Sequence, residues 1–202
     1  MDLYIIPGAC SLAVNIALRE AGVRFKIRTV DGRRKQTDDG MDFYSINSKG
    51  YVPALRLDDG QVLTENAAIL QFVADRYPEA RLAPPSGTIE RHRLTEWLSF
   101  INSEVHKAFS PLFDPGADDE VRRYAQERVE KRFGWLQEQV GSRTFLAGDG
   151  FTVADAYLFT VLGWGPEVGI DIARWPNLAR YHAGIESRPM VRAALQSEGL
   201  LQ

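Results

Sequence analysis

Cys10 is the one cysteine in the chain, and its neighbours place it at a turn. It follows a short apolar run, Leu3-Tyr4-Ile5-Ile6, and a Pro7-Gly8-Ala9 bend, and it precedes a segment with helical spacing. A helix N-terminus carries partial positive charge and unpaired N–H groups, and both favour a thiolate. Ser11 is positioned to cap the same helix. The spacing Cys10-Ser11-Leu12-Ala13 is the one-thiol form of a CxxC site. It can form a mixed disulfide but has no resolving cysteine of its own. By type alone a lone cysteine is more often a small buried apolar residue, and it is the turn-to-helix position that favours chemistry here.

Four further groups carry chemical potential. Val52-Pro53 begins a strand-like run, and proline belongs at a strand start or an edge because it cannot donate to a ladder. With a cis bond, the backbone of Val52 would face outward and pair with an extended peptide; taken alone, the residues fit an ordinary trans proline at a strand start better. Thr64-Glu65-Asn66 opens a helix. Its N-terminus would attract a carboxylate, Asn66 adds an amide donor, and Glu65 would pair with an ammonium group. An acidic residue in a first turn also simply complements the helix dipole. Ser99, Asn102, Ser103 and His106 fall at i, i+3, i+4 and i+7, flanked by Glu104 and Lys107. This polar, largely uncharged stripe suits a lined cleft or a solvated face. Arg33-Arg34-Lys35 is a basic cluster in a polar stretch, fit for an anion clamp or for plain solvation.

These residues need elements to hold them. The order predicted is a strand over Leu3–Ile6, a helix from Leu12 stopped by Gly22, and a strand over Phe25–Val30. A polar loop follows from Asp31 to Gly40. Then come a strand over Val52–Leu57, a hairpin turn at Asp58-Asp59-Gly60, a strand over Gln61–Leu63, and a helix capped by Thr64 that ends near Tyr77-Pro78. A β-α-β unit needs a crossover and the β-β unit a hairpin, which together predict a small mixed sheet. Pro84-Pro85-Ser86-Gly87 reads as a linker. Beyond it every signal is helical: an apolar stripe from Leu94 to Leu112, a break at Asp114-Pro115-Gly116, and a charged amphipathic helix from about Asp118 to Val140. Thr152-Val153-Ala154-Asp155 fits a capping box and opens an almost wholly apolar helix, expected at the centre of that domain.

Composition sets outer bounds. The 202 residues carry a formal charge of −3 with no basic tract, which gives no electrostatic case for nucleic acid. One cysteine excludes an intramolecular disulfide and, with no CxxC or CxxH, gives no reason to expect a metal. No signal-peptide pattern and no membrane-spanning run occurs, so a cytoplasmic protein with no membrane partner is expected.

The order and spacing of these signals resemble the glutathione transferases, specifically the bacterial beta class. The matching residues are Pro7-Gly8-Ala9-Cys10-Ser11, Gly50-Tyr51-Val52-Pro53-Ala54-Leu55, Leu63-Thr64-Glu65, Ser103-Glu104-Val105-His106-Lys107 with Phe109-Ser110-Pro111-Leu112-Phe113, and Thr152-Val153-Ala154-Asp155-Ala156-Tyr157. Together they span nearly the whole chain. The resemblance implies the cytosolic glutathione transferase fold: an α/β thioredoxin-like N-terminal domain (βαβ-ββα) over residues 1–81, then an all-α C-terminal domain over 87–202. It implies a homodimer that uses glutathione as cosubstrate, no metal, and a hydrophobic, often aromatic or halogenated electrophile. It further implies a cis Val52–Pro53 bond, with Val52 pairing with the cysteinyl backbone of glutathione. Cys10 would face the glutathione sulfur beside Ala9. Glu65 and Asn66 would hold the γ-glutamyl end, and Lys35 the glycyl end. Ser99, Ser103, Glu104, His106 and Lys107 would complete the site, some of them toward the neighbouring subunit, with His106 at the sulfur. In the family, position 66 is usually a small residue and position 99 usually asparagine; this chain has Asn66 and Ser99. A glutaredoxin-like thiol transferase and a non-catalytic binding protein of the same fold are the competing readings.

Overall fold

Three apolar positions in a row, Leu3, Tyr4 and Ile5, are buried on both faces of β1 (Asp2–Ile5), which makes it the central strand of a five-stranded sheet. The computed structural model describes residues 1–201. Helix α1 (Ser11–Glu20) is the crossover that lets β2 (Lys26–Asp31) lie parallel to β1. The other neighbours are antiparallel: β3 (Gln36–Thr37) on β2, β4 (Ala54–Arg56) on β1, and β5 (Val62–Thr64) on β4. The order across the sheet is β3-β2-β1-β4-β5. Helix α2 (Asn66–Arg76) follows β5 directly and packs against α1. On the sheet, Tyr4, Val30, Phe43 and Ala54 form a buried cluster, with Ile6, Ile46, Val52 and Val62 packed against it.

Three local expectations are corrected. The stretch 31–40 is not all loop, because two of its residues form β3; two residues are too few for a periodic pattern to show in sequence. Ser11 does not cap α1. Cys10 occupies the N-cap position without a side-chain cap bond, and the buried Ser11 hydroxyl donates to the Ile6 carbonyl at 3.3 Å. Thr64 does not cap α2 either: it is the last residue of β5, and the N-cap is Glu65, in the left-handed region at φ 71°.

The second unit, Pro84–Ser187, is helical. Helix α3 (Ile89–Phe100) is capped by Thr88 and runs into a π-helical stretch, Ile101–His106, then into α4 (Lys107–Phe109) and a 3₁₀ turn, Ser110–Leu112. Helix α5 (Asp119–Val140) is capped by Asp118. Helix α6 (Val153–Leu162) is buried at all ten positions, and α7 (Pro176–Glu186) packs on both α5 and α6. Helix α6 starts at the capping box expected from the sequence. The Asp155 carboxylate accepts from Thr152 N and Thr152 Oγ1, both at 2.8 Å, and from Leu146 N and Tyr181 Oη, both at 2.7 Å. Burial pushes this carboxyl above its ordinary value, and the hydrogen bonds it accepts oppose the rise.

Helix α8 (Pro189–Ser197) belongs with the first unit, Met1–Ala83 together with Arg188–Gln202, whereas the sequence reading ran the helical domain to 202. The reason is a buried polar residue. Asn15 on α1 is fully buried, and its amide donates to Glu198 at 2.9 Å and to Ser197 at 3.1 Å. Glu198 also accepts Gly8 N–H at 2.9 Å, and Arg188 pairs with Glu20 at 2.8 Å.

Asp155→Ala would strip a helix cap and leave buried donors unmatched. It is expected to cost roughly 3 kcal/mol or more in urea unfolding, against about 1 kcal/mol for Thr152→Ala.

Candidate functional site

Strand register decides what meets what in the first unit. Tyr4 lies opposite Ala54, and Ala54 opposite Thr64. The end of β1, the start of β4 and the end of β5 therefore share one end of the sheet. The segments just beyond those strand ends are Ile6–Cys10, Val52-Pro53 and Glu65-Asn66, three of the groups singled out from sequence. The Val52–Pro53 bond is cis. Cys10 Sγ lies 3.3 Å from the Val52 carbonyl oxygen and donates to it. The sulfur that makes this bond belongs to the N-cap residue of α1. Ala9 shapes the bend: its N–H donates to Ile6 O and its carbonyl accepts Leu12 N–H, both at 3.0 Å.

Lys35, with φ 54°, sends its ammonium to the Gly50 carbonyl at 2.9 Å and lies 5.9 Å from the Tyr51 ring centre. Arg33 and Arg34 donate their backbone N–H groups to the Asp31 carboxylate, each at 2.9 Å, and the Arg34 guanidinium lies 3.8 Å from the same carboxylate. Glu65 does pair with an ammonium, that of Lys49 in its own chain, at 2.5 Å. Asn66 is only 4% exposed, and neither end of its amide has a hydrogen-bond partner among the described residues. An unpaired buried amide costs about 1–3 kcal/mol, so it marks a position with a demand the chain itself does not meet.

In the second unit the polar stripe is re-spaced by the π-helical stretch, a distortion common at functional sites. Ser99 and Ser103 are exposed and donate to the carbonyls four residues back, Thr95 at 2.8 Å and Ser99 at 2.9 Å. Glu104 is drawn to α5, where Arg132 pairs with it and Arg128 lies 3.9 Å away. His106 Nδ1 is 2.7 Å from the Tyr157 hydroxyl, which in turn donates to Asn102 Oδ1 at 3.0 Å. Trp164 meets the imidazole edge-on at 4.8 Å, and Phe109 and Phe113 stand at 5.5 and 5.8 Å from Trp164. Burial, with the Lys107 ammonium next in chain, pushes the His106 imidazole down to about 4.

Three participants escaped the sequence reading. Tyr157 reads as core in the sequence, yet a phenol inside an otherwise apolar helix signals a buried hydroxyl needing a partner. Lys49 and Arg132 carry no local signal, because their partners are 16 and 28 residues away. A cavity of about 620 Å³ lies away from these residues, lined by Met1, Asp2, Arg24, Lys26, Arg56 and Asp58 among others. Asp2 and Asp58 there are already paired, with Arg56 at 2.5 Å and with the Met1 ammonium at 2.6 Å.

Comparison with known proteins agrees across the chain. Residues 8–76 match the family model for the glutathione S-transferase N-terminal domain, and residues 100–189 that for the C-terminal domain. Glutathione S-transferase GstA of Escherichia coli O157:H7 is 42% identical over 200 residues, covering 99% of this chain and 100% of the relative. The structure of a beta-class glutathione S-transferase from Sphingomonas chungbukensis superposes with a TM-score of 0.97 at 50% identity, covering 100% of both chains. A sphingomonad glutathione S-transferase solved in complex with glutathione gives a TM-score of 0.96 at 49% identity, covering 99% of this chain and 100% of the other.

The depressed His106 value has a measurable consequence. The folded value, about 4, lies below the ordinary 6.5, so the contribution to stability is complete above pH 6.5 and is lost as pH falls toward 4. Between those limits wild type should lose about 3 kcal/mol more than His106→Gln, read by urea melts at each pH. The His106 proton resonance should titrate near 4 and stay flat between pH 6 and 8.

Proposed function

The chain belongs to the glutathione S-transferase family, and from that premise we propose that it joins glutathione to small hydrophobic electrophiles, often aromatic or halogenated. The observation that carries the ligand assignment is the unpartnered amide of Asn66, buried at the same end of the sheet as Cys10, Val52 and Glu65. On this reading the start of α2 takes the γ-glutamyl carboxylate, and Asn66 supplies hydrogen bonds to it. Glu65 takes the α-ammonium, sharing its carboxylate with Lys49 or exchanging Lys49 for the ligand. Val52 pairs its backbone with the cysteinyl unit, Lys35 binds the glycyl carboxylate, and Cys10 faces the sulfur beside Ala9. From the helical unit, Ser99, Ser103, Glu104 and Lys107 supply polar contacts and His106 acts at the sulfur. The ring cluster of Phe109, Phe113 and Trp164 supplies apolar surface for the electrophile, with Phe113 half exposed.

The chemistry is activation of a thiol. A free thiol near 8.5 is only a few per cent ionised at neutral pH. Lowering the value for bound glutathione by about 2 units corresponds to ~2.7 kcal/mol, within reach of the N–H groups at a helix start. The thiolate then displaces a leaving group from the electrophile. We also place the protein in the cytoplasm as a homodimer. Trp97, Phe100 and Trp135 form one ring cluster in which Trp135 is 44% exposed, a surface suited to a second copy. No described helix is long and apolar enough to cross a membrane.

A second reading rests on Cys10 itself. Its sulfur, at the start of α1, can attack oxidised glutathione, breaking that S–S bond, releasing one glutathione thiolate and leaving a mixed disulfide on Cys10. One assay separates the two: conjugation of glutathione to chlorodinitrobenzene by wild type and Cys10→Ala. Wild type should run well above the uncatalysed rate, and the variant should keep most of it. Loss of conjugation in the variant favours the thiol-transferase reading, and no catalysis by either protein removes the conjugation claim.

A further inference from the structure

We propose that Tyr157 and Asn102 fix the tautomer of His106, placing the imidazole proton on Nδ1 and leaving Nε2 as a bare proton acceptor. A phenol has one proton, and the Tyr157 hydroxyl gives it to Asn102 Oδ1 at 3.0 Å. At 2.7 Å from His106 Nδ1 the same oxygen can then only accept, so Nδ1 must carry the hydrogen. A neutral imidazole holds one N–H, which leaves Nε2 with its lone pair. Among the described residues the imidazole's hydrogen bond is made at Nδ1, to Tyr157.

The arrangement is held from below. Tyr157 is fully buried in α6, two residues past Asp155, which closes the capping box, and that box fixes where α6 starts. Asn102 and His106 both lie in the π-helical stretch, whose wider turn sets them four residues apart on the side that meets Tyr157. Trp164 and Tyr157 both meet the imidazole edge-on, with ring planes at 75° and 88°, which restrains ring flipping.

The inference deepens the proposed function and rests on it for its consequence. Facing a thiol, Nε2 accepts: the S–H bond breaks with its electron pair left on sulfur, and the proton joins the Nε2 lone pair before passing to water. His106 then assists before the sulfur ionises. It is not the hydrogen-bond donor that steadies the thiolate afterwards. Tyr157 and Asn102 are positioning residues, acting only through His106.

The test is a long-range ¹H–¹⁵N spectrum of the labelled full chain at pH 7 without ligand. His92, His106 and His182 are separated by comparison with His106→Gln. For wild type, Nδ1 of His106 should be of the protonated, pyrrole type and Nε2 of the bare, pyridine type. Tyr157→Phe removes the acceptor and should bring in the Nε2–H form. Asn102→Ala frees the phenol proton to turn toward Nδ1 and should do the same even if Tyr157→Phe does not fold. An Nε2–H ring in wild type, or an unchanged spectrum in the variants that fold, overturns the proposal. Because the spectrum needs no glutathione, its result is independent of the conjugation assay.

Discussion

The antiparallel pairing of β4 with β1, Leu3 opposite Leu55 and Tyr4 opposite Ala54, is the constraint on which the first unit's chemistry depends. A slip of one residue would turn Ala54 and Leu55 to the wrong faces and carry Val52 away from the Cys10 bend. The register is strongly specified because both faces of β1 are buried. The candidate site residues of the first unit therefore sit in segments just past the ends of its most buried strands, free of ladder bonding. That division is common among α/β folds, in which ligands gather where strands end and helices begin.

The second unit solves a similar problem with polar groups. Asp155 gathers the start of α6, the turn at Leu146 and the hydroxyl of Tyr181 on α7 around one buried carboxylate. Two residues on, Tyr157 passes that order to Asn102 and His106 through two hydrogen bonds. Burial keeps the imidazole neutral across the physiological range, and the Tyr157 hydroxyl beside Nδ1 sets its orientation.

Much of this was legible in the sequence, and the gaps have physical causes. Strands, hairpin, linker and capping box show through period, turn residues and the Thr152–Asp155 spacing. Cys10, Val52, Glu65, Asn66 and His106 stand out as candidates through motif order, since each alone has a plain structural reading. The helix starts were misjudged at Ser11 and Thr64, because capping depends on backbone angles: Glu65 adopts φ 71°, which few non-glycine residues do, and residue type gives no sign of it. The π-helical stretch was invisible because an apolar stripe at helical spacing tolerates one wider turn. The place of α8 was decided by Asn15, a buried amide on α1 that finds Glu198 across 183 residues. Ion pairs such as Lys49–Glu65 and Arg132–Glu104 are likewise tertiary facts.

The central claim is that the sheet end holding Asn66 and Glu65 recognises the γ-glutamyl unit of glutathione. Calorimetric titration with glutathione and with cysteinylglycine, which lacks that unit, tests it most directly. The account predicts that wild type binds glutathione at least about tenfold more tightly than the dipeptide, a gap of roughly 1.4 kcal/mol or more, and that Asn66→Ala narrows it. Equal affinities for the two ligands in wild type would contradict it.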